Sequence, residues 1–353
     1  MHVAAVGQAF PPNHYDQETL IAALRGYWAA RHHNVDRIEA LHRNVLVGGR
    51  HLALPLEAYP GLDTFGKAND AWIRVAVEVG EAAARDGLLS AGVLPGEVGA
   101  FFSTTVTGVA APSLDARLLV RLGLPLHAKR VPLFGLGCLA GAAGIARAAD
   151  YVRAFPGEAA LLLSVELCSL TLQRQDLSIP NLIASGLFGD GAAAAVVVGD
   201  EIAARLPDPG PRVLATRSVF YPDTEAVMGW QISEAGFRVV LSADVPVVAR
   251  ERIPADVDAF LASQGLERRD VVSWVCHPGG PRVLEALEEG LGLSRDDLAL
   301  TWKSLREVGN LSSSSVLLVL RETMRTRRPP PGSPGLLLAM GPGFCSELVL
   351  LRW

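Results

Sequence analysis

The chain has 353 residues, half of them hydrophobic and 20% charged, with a formal net charge of −5. That length suggests two domains or one duplicated domain with material for a large core. No Lys/Arg cluster is dense enough to track a phosphate backbone, so nucleic acid is excluded as an expected partner. The four cysteines, Cys138, Cys168, Cys276 and Cys345, lie far apart with no CxxC spacing and no paired histidine ligands beside them, so no metal and no disulfide framework is expected. The opening MHVAAVGQAFPPNHY lacks a basic start and a long apolar core, and no run reaches the roughly 18 apolar residues of a membrane span. The expectation is a cytoplasmic protein without an integral membrane segment.

In chain order, Val3 to Phe10 reads as a short strand stopped by Pro11 and Pro12. Asp16 to Arg31 reads as an amphipathic helix with Leu20, Ile21, Leu24 and Tyr27 on one face. A basic stretch holding Arg37, His42, Arg43 and Arg50 leads into a Pro/Gly-rich loop, Leu54 to Gly66. Asn69 to Leu89 is a second helix and Val98 to Thr105 a strand that opens into GVAAPSLDARLLVRLGLP. From Val131 to Arg153 an apolar strand-like run meets Gly135 and Gly137, then Cys138, then a small-residue helix. A cysteine at a strand-to-helix junction sits where helix amides favour an anion, so its thiol is expected to ionise below the usual value of about 8.5. The continuous apolar runs Glu158 to Glu166 and Phe188 to Val198 read as buried strands.

The second half repeats this order. Val271 to Cys276 is a strand opening into HPGGPRVLEALEEGLGLS, and RLGLP and GLGLS lie 169 residues apart. A small-residue patch and helix, GNLSSSSVLLVLRETMR, parallels the Cys138 segment, and Gly335 to Trp353 gives strand, GPG turn, strand. An offset of about 170 sets Asn310 against Cys138, and His277 against Thr107 or Gly108. The expected fold is α/β, with mainly parallel sheets covered by helices and a ligand pocket near the join between the halves. The boundary between the halves falls at 1–205 and 206–353, the first carrying Cys138 and the second His277 and Asn310.

A thiol, an imidazole and a carboxamide at such turns make a nucleophilic site for acyl transfer. His277 would hold Cys138 as thiolate. The Asn310 amide, with His277, can donate to a developing enolate or oxyanion. This suits decarboxylation of a malonyl thioester without a metal.

At these positions the sequence resembles the type III polyketide synthases, relatives of chalcone synthase within the thiolase fold. The resemblance rests on GCLAGAAG around Cys138, LFGDGAAAAVV around Phe188, CHPGGPRVLEALE around His277, GNLSSSSVL around Asn310 and MGPGFCSELVLL near the end, in family order. It implies a thiolase-like αβαβα fold and a cytoplasmic homodimer that uses acyl-CoA and malonyl-CoA, with no acyl carrier protein and no bound cofactor. Cys138 would take the starter and the growing chain, while His277 and Asn310 drive decarboxylation. Phe188 matches the gatekeeper at the pocket mouth; Ser312 and the loop Gly341, Pro342, Gly343 line the cavity. Val239 falls where plant members carry a second gatekeeper phenylalanine, with Phe237 two residues away, and Trp230 falls where they carry glycine. Arg37, His42, Arg43 and Arg50 are candidates for the CoA phosphates. Thr107, Ala111 and Cys168 match small residues lining an acyl tunnel in the bacterial branch that accepts long-chain fatty acyl starters. The implied product is an alkylpyrone or alkylresorcinol. A ketoacyl synthase III, making one condensation with the same trio, is the neighbouring alternative; a non-catalytic acyl-binding protein is expected to have lost one of the three residues.

Overall fold

In a computed structural model, residues 1–28 and 35–353 are described. The first half contributes β1 (His2–Ala9), β2 (Asn13–Asp16), α1 (Gln17–Trp28), α2 (Val35–Asn44), β3 (Gly49–Leu52), α3 (Phe65–Ala91), β4 (Val98–Thr104), α4 (Leu114–Leu118), β5 (Lys129–Leu133), α5 (Ala140–Ala154), β6 (Ala159–Leu167), α6 (Ile179–Leu187), β7 (Asp190–Val198) and α7 (Asp200–Ala203). The second contributes β8 (Arg212–Phe220), β9 (Met228–Ser233), β10 (Gly236–Leu241), α8 (Val245–Ala262), β11 (Ser273–Cys276), α9 (Pro281–Leu291), α10 (Ala299–Val308), α11 (Ser313–Thr326), β12 (Pro334–Gly341) and β13 (Cys345–Arg352). The end of the helix expected over Asp16 to Arg31 lies outside the described residues.

One nine-stranded sheet runs β5-β4-β6-β7-β1-β8-β13-β12-β11. Its two wings repeat each other, β4, β6, β7 and β1 matching β11, β12, β13 and β8. The wings meet at a single residue pair between β1 and β8, His2 with Arg212. The sheet is mixed rather than mainly parallel. Only β5–β4, β4–β6 and β12–β11 are parallel, because each wing places its first strand antiparallel to its last, and β13 returns directly from β12 through the tight turn around Pro342.

Period-two alternation explains why β6 reads as a continuous apolar run. Leu161, Leu163 and Val165 pack outward against α3, while Ala160 and Leu162 face a central helix layer. That central layer is α5 and α11, whose Ala142, Ile145, Val316 and Leu320 are enclosed between both wings with Val275, Leu337 and Val349. On the far side, α8 and α9 cover the second wing through Ile253, Val257 and Leu284 against Leu336 and Leu350. The layering is αβαβα, the thiolase-like arrangement. The two central helices approach closely because α5 carries glycine where they cross. A Cβ on Gly141 would lie 2.3 Å from the Ser313 carbonyl oxygen.

The repeat sets the site. β4 ends at Thr104 and β11 at Cys276, 172 residues on; α5 starts at Ala140 and α11 at Ser313, 173 on. Cys138 and Asn310 therefore precede equivalent central helices, and His277 follows the strand equivalent to β4. Among the described residues no helix is long and apolar enough to cross a membrane.

Candidate active site

Cys138 lies in the one-turn 3-10 segment Gly137–Leu139 that leads into α5. Gly137 has φ 53° and faces the GPG turn, where an added Cβ would lie 2.4 Å from Pro342 Cδ. Only glycine serves there, and the fit packs Gly341, Pro342 and Gly343 against the nucleophile's turn. Cys138 Sγ–H donates to Ser312 Oγ at 3.6 Å. Ser312 takes φ 46°, a backbone few non-glycine residues adopt, and its N–H donates to Asn310 Oδ1 at 2.8 Å.

Asn310 Nδ2 donates to the Gly279 carbonyl at 3.2 Å, and the Gly279 N–H donates to the His277 carbonyl at 2.9 Å. These bonds fix the amide orientation and leave one Nδ2 hydrogen free. His277 is anchored by its N–H to the Leu338 carbonyl, and its ring is buried with both nitrogens lacking a protein partner. One hydrogen-bonded circuit, Cys138–Ser312–Asn310–Gly279–His277, thus gathers the three residues expected from sequence.

Burial pushes the Cys138 thiol up to about 12, with the Ser312 hydroxyl drawing it down and the Glu166 carboxylate adding to the rise. Burial alone pushes His277 down to about 3. Desolvation thus opposes the charged form of both the thiol and the imidazole, against the helix start, which favours the thiolate.

Sequence reasoning missed the polar floor behind this circuit. Glu166, buried at the end of β6, accepts from Val106 N–H at 3.1 Å, Thr107 Oγ1 at 2.9 Å and Ser313 Oγ. Ser164 Oγ lies 2.7 Å from both Ser313 Oγ and Ser314 Oγ. The available signal was a Ser-Val-Glu inside an otherwise apolar strand, opposite four consecutive serines.

Phe188, which forms an isolated β-bridge with Asn310, lines the smaller of two neighbouring cavities, neither of which is lined by Cys138, His277 or Asn310. The smaller, about 270 Å³, is lined by Cys168, Phe188, Trp230, Val239 and Arg50. Trp230 and Val239 are partners across the β9–β10 pair, and Trp230 stacks edge-on against Phe237. The larger, about 700 Å³, is lined by Thr107 and Phe237. Tyr59, Ser169 and Leu172 line both and form the partition, with Tyr59 Oη 2.5 Å from Ser169 Oγ. Cys168 and Thr107 are thus on different cavities, and Ala111 is exposed on the protomer surface in neither lining.

His42 and Arg50 are corrected as CoA-phosphate candidates. Both are buried, and both point at α6: His42 Nε2 lies 2.9 Å from the Leu182 carbonyl, and Arg50 donates to the Ser185 and Phe188 carbonyls. Arg37 and Arg43 are exposed on α2, with Arg43 paired to Glu18 at 2.8 Å.

Burial holds His42 down at about 4, so it stays neutral in the fold while the unfolded chain protonates near 6.5. Stability from this group is complete above pH 6.5 and is lost as pH falls toward 4, at about 1.4 kcal/mol per pH unit. Asp190, raised to about 6 by burial, works in the opposite sense over pH 6 to 4. His42→Gln keeps a donor for Leu182 and removes the first contribution. Its melting temperature is therefore expected to fall less between pH 7 and pH 5 than the wild type's, by the equivalent of roughly 2 kcal/mol; parallel calorimetric curves would count against a neutral buried His42.

Known proteins agree with this geometry. Residues 1–201 match the family model "Chalcone and stilbene synthases, N-terminal domain" and residues 212–353 the C-terminal domain model. A 1,3,6,8-tetrahydroxynaphthalene synthase of Streptomyces peucetius subsp. caesius is 50% identical over 99% of this chain and 93% of its own. A 3,5-dihydroxyphenylacetyl-CoA synthase of Amycolatopsis orientalis is 32% identical over 99% of this chain and 93% of its own. The crystal structure of the 1,3,6,8-tetrahydroxynaphthalene synthase of Streptomyces coelicolor A3(2), described as a bacterial type III polyketide synthase, superposes with a TM-score of 0.94. It shares 29% identity, covering 100% of this chain and 99% of that one.

Proposed function

Since the chain belongs to the chalcone and stilbene synthase family and is a type III polyketide synthase, an acyltransferase, we propose that it builds a naphthalene polyol from malonyl-CoA alone. The observation that carries the chemistry is the circuit joining Cys138, Asn310 and His277, with an unpartnered imidazole and one free amide hydrogen. Cys138 attacks the thioester carbon of the starter as its proton passes to His277, and the proton leaves with the CoA thiol. A second malonyl thioester then places its carbonyl oxygen between Asn310 Nδ2–H and the His277 ring N–H. Carbon dioxide departs, the two donors hold the enolate oxygen, and the enolate carbon attacks the Cys138 thioester. The ten ring carbons of a naphthalene correspond to five two-carbon units.

The small cavity favours a short starter. Trp230 stands in its wall, held by Phe237, where a smaller side chain would deepen it. The 50% identity to a tetrahydroxynaphthalene synthase points the same way. A second reading, a long-chain fatty acyl starter giving an alkylpyrone or alkylresorcinol, is favoured by the larger cavity at Thr107, separated from Cys168 only by the Tyr59–Ser169 partition. In either case the enzyme is proposed to work as a homodimer of two-half subunits divided near residue 205, without acyl carrier protein or bound cofactor. The CoA phosphates would be met by surface residues such as Arg37 and Arg43.

Mass spectrometry of products from malonyl-CoA alone and with an acyl-CoA ladder from acetyl to palmitoyl decides between the readings. Malonyl-CoA alone is expected to give a tetrahydroxynaphthalene. Preferred turnover of palmitoyl-CoA to pyrones or resorcinols would favour the second reading, and no turnover of any substrate would remove both.

A further inference from the structure

The C-terminus of α6 leaves orphan carbonyls in the protein interior, as any helix end does. Here each has a donor. Arg50 Nη2 serves Ser185, Gln17 Nε2 serves Gly186 at 3.0 Å, the Asn310 N–H serves Leu187 at 3.0 Å, and Arg50 Nη1 serves Phe188 at 2.9 Å. The Gly189 N–H then donates to the Asn310 carbonyl at 3.0 Å, completing the bridge between Phe188 and Asn310. A buried cation is thus stabilised by a helix C-terminus and two carbonyls.

We propose that Arg50 is a positioning residue: by clamping the Ser185 and Phe188 carbonyls it sets both the Phe188 side chain at the small cavity and, through the Phe188–Asn310 bridge, the Asn310 amide that stabilises the enolate. The inference rests on the decarboxylating role of Asn310 proposed above. A lysine cannot make both contacts, since its ammonium is a point donor without a fork to span two carbonyls. Burial lowers Arg50 only to about 10, so it remains cationic at neutral pH.

The test compares Arg50→Lys, Asn310→Ala and the double variant with wild type, following carbon dioxide release from malonyl-CoA and melting temperature together. Arg50→Lys is expected to lose on the order of 10²-fold in kcat for decarboxylation, with KM changed far less. In the Asn310→Ala background the same change is expected to cost almost nothing, because the group it positions is gone. Methylguanidinium is expected to restore part of the rate of Arg50→Ala. If Arg50 variants do not fold, Gln17→Leu, which strips the donor from the adjacent Gly186 carbonyl, is expected to lower the same kcat several-fold. Wild-type kcat in a folded Arg50→Lys, additive losses in the double variant, or an unchanged rate in Gln17→Leu would overturn the proposal. A wild-type enzyme that releases no carbon dioxide from malonyl-CoA overturns the functional reading instead.

Discussion

Replacing Asn310 with alanine is expected to slow malonyl-CoA decarboxylation by about 10²–10³-fold, equivalent to about 3–4 kcal/mol of transition-state stabilisation. The amide spends one hydrogen on the Gly279 carbonyl and its oxygen on the Ser312 N–H, so the remaining hydrogen is held in place before substrate arrives. A donor aligned in advance needs no reorganisation as negative charge grows on the thioester oxygen. Alanine removes it and also releases Ser312, the contact of the Cys138 thiol. Loading should survive nonetheless: intact-mass measurement is expected to show an acyl adduct on Asn310→Ala and none on Cys138→Ala, whose carbon dioxide release persists. An Asn310→Ala enzyme keeping more than a tenth of the wild-type rate would falsify the donor assignment.

Gly141→Ala is expected to damage both stability and activity. The new Cβ would stand 2.3 Å from the Ser313 carbonyl oxygen and 2.8 Å from Val316 Cγ1, and the first of these is backbone that cannot rotate away. The two central helices must separate, at a cost of roughly 3 kcal/mol or more for a tightly packed layer. Because Cys138 precedes one helix and Asn310 the other, the same displacement widens the site. Gly96→Ala is the matched control, since nothing lies within 4 Å of its added Cβ. Calorimetry should show Gly141→Ala melting well below wild type and Gly96→Ala unchanged; equal melting temperatures for the two variants would mean the helix crossing tolerates a methyl group.

The fold and the site were not equally legible in the sequence. β6 and β7 were plain because burial on both faces leaves a largely apolar run, and the repeat was plain because each wing reuses the same strand-to-helix turns. The trio followed from those turns. α8 gave no such signal, as Pro254 interrupts it and its apolar residues form no clean stripe. The parallel-sheet expectation missed that β7 and β13 run against both of their neighbours, which depends on partners far along the chain. Arg50 and His42 looked like solvent-facing phosphate ligands because their actual acceptors, the carbonyls of α6, lie more than 130 residues away and belong to backbone. The burial of Cys138 was illegible for a related reason: a helix start is visible in sequence, whereas the depth at which it is buried is not.

The single sheet also sets an order on synthesis. In each wing the first strand pairs with the last, β1 with β7 and β8 with β13, so neither wing can close until its final strand has been made. At the usual 5–20 residues per second, β1 waits roughly 10–40 s for residue 198 to appear. During that interval Val3, Ala5 and Val6 have no strand partner, and the alanine- and valine-rich β7 emerges last, onto a template already formed by β6. The nucleophile's wing is thus completed well before Asn310 exists, and a nascent chain passes through a stage that carries the thiol without the groups that give it something to react with.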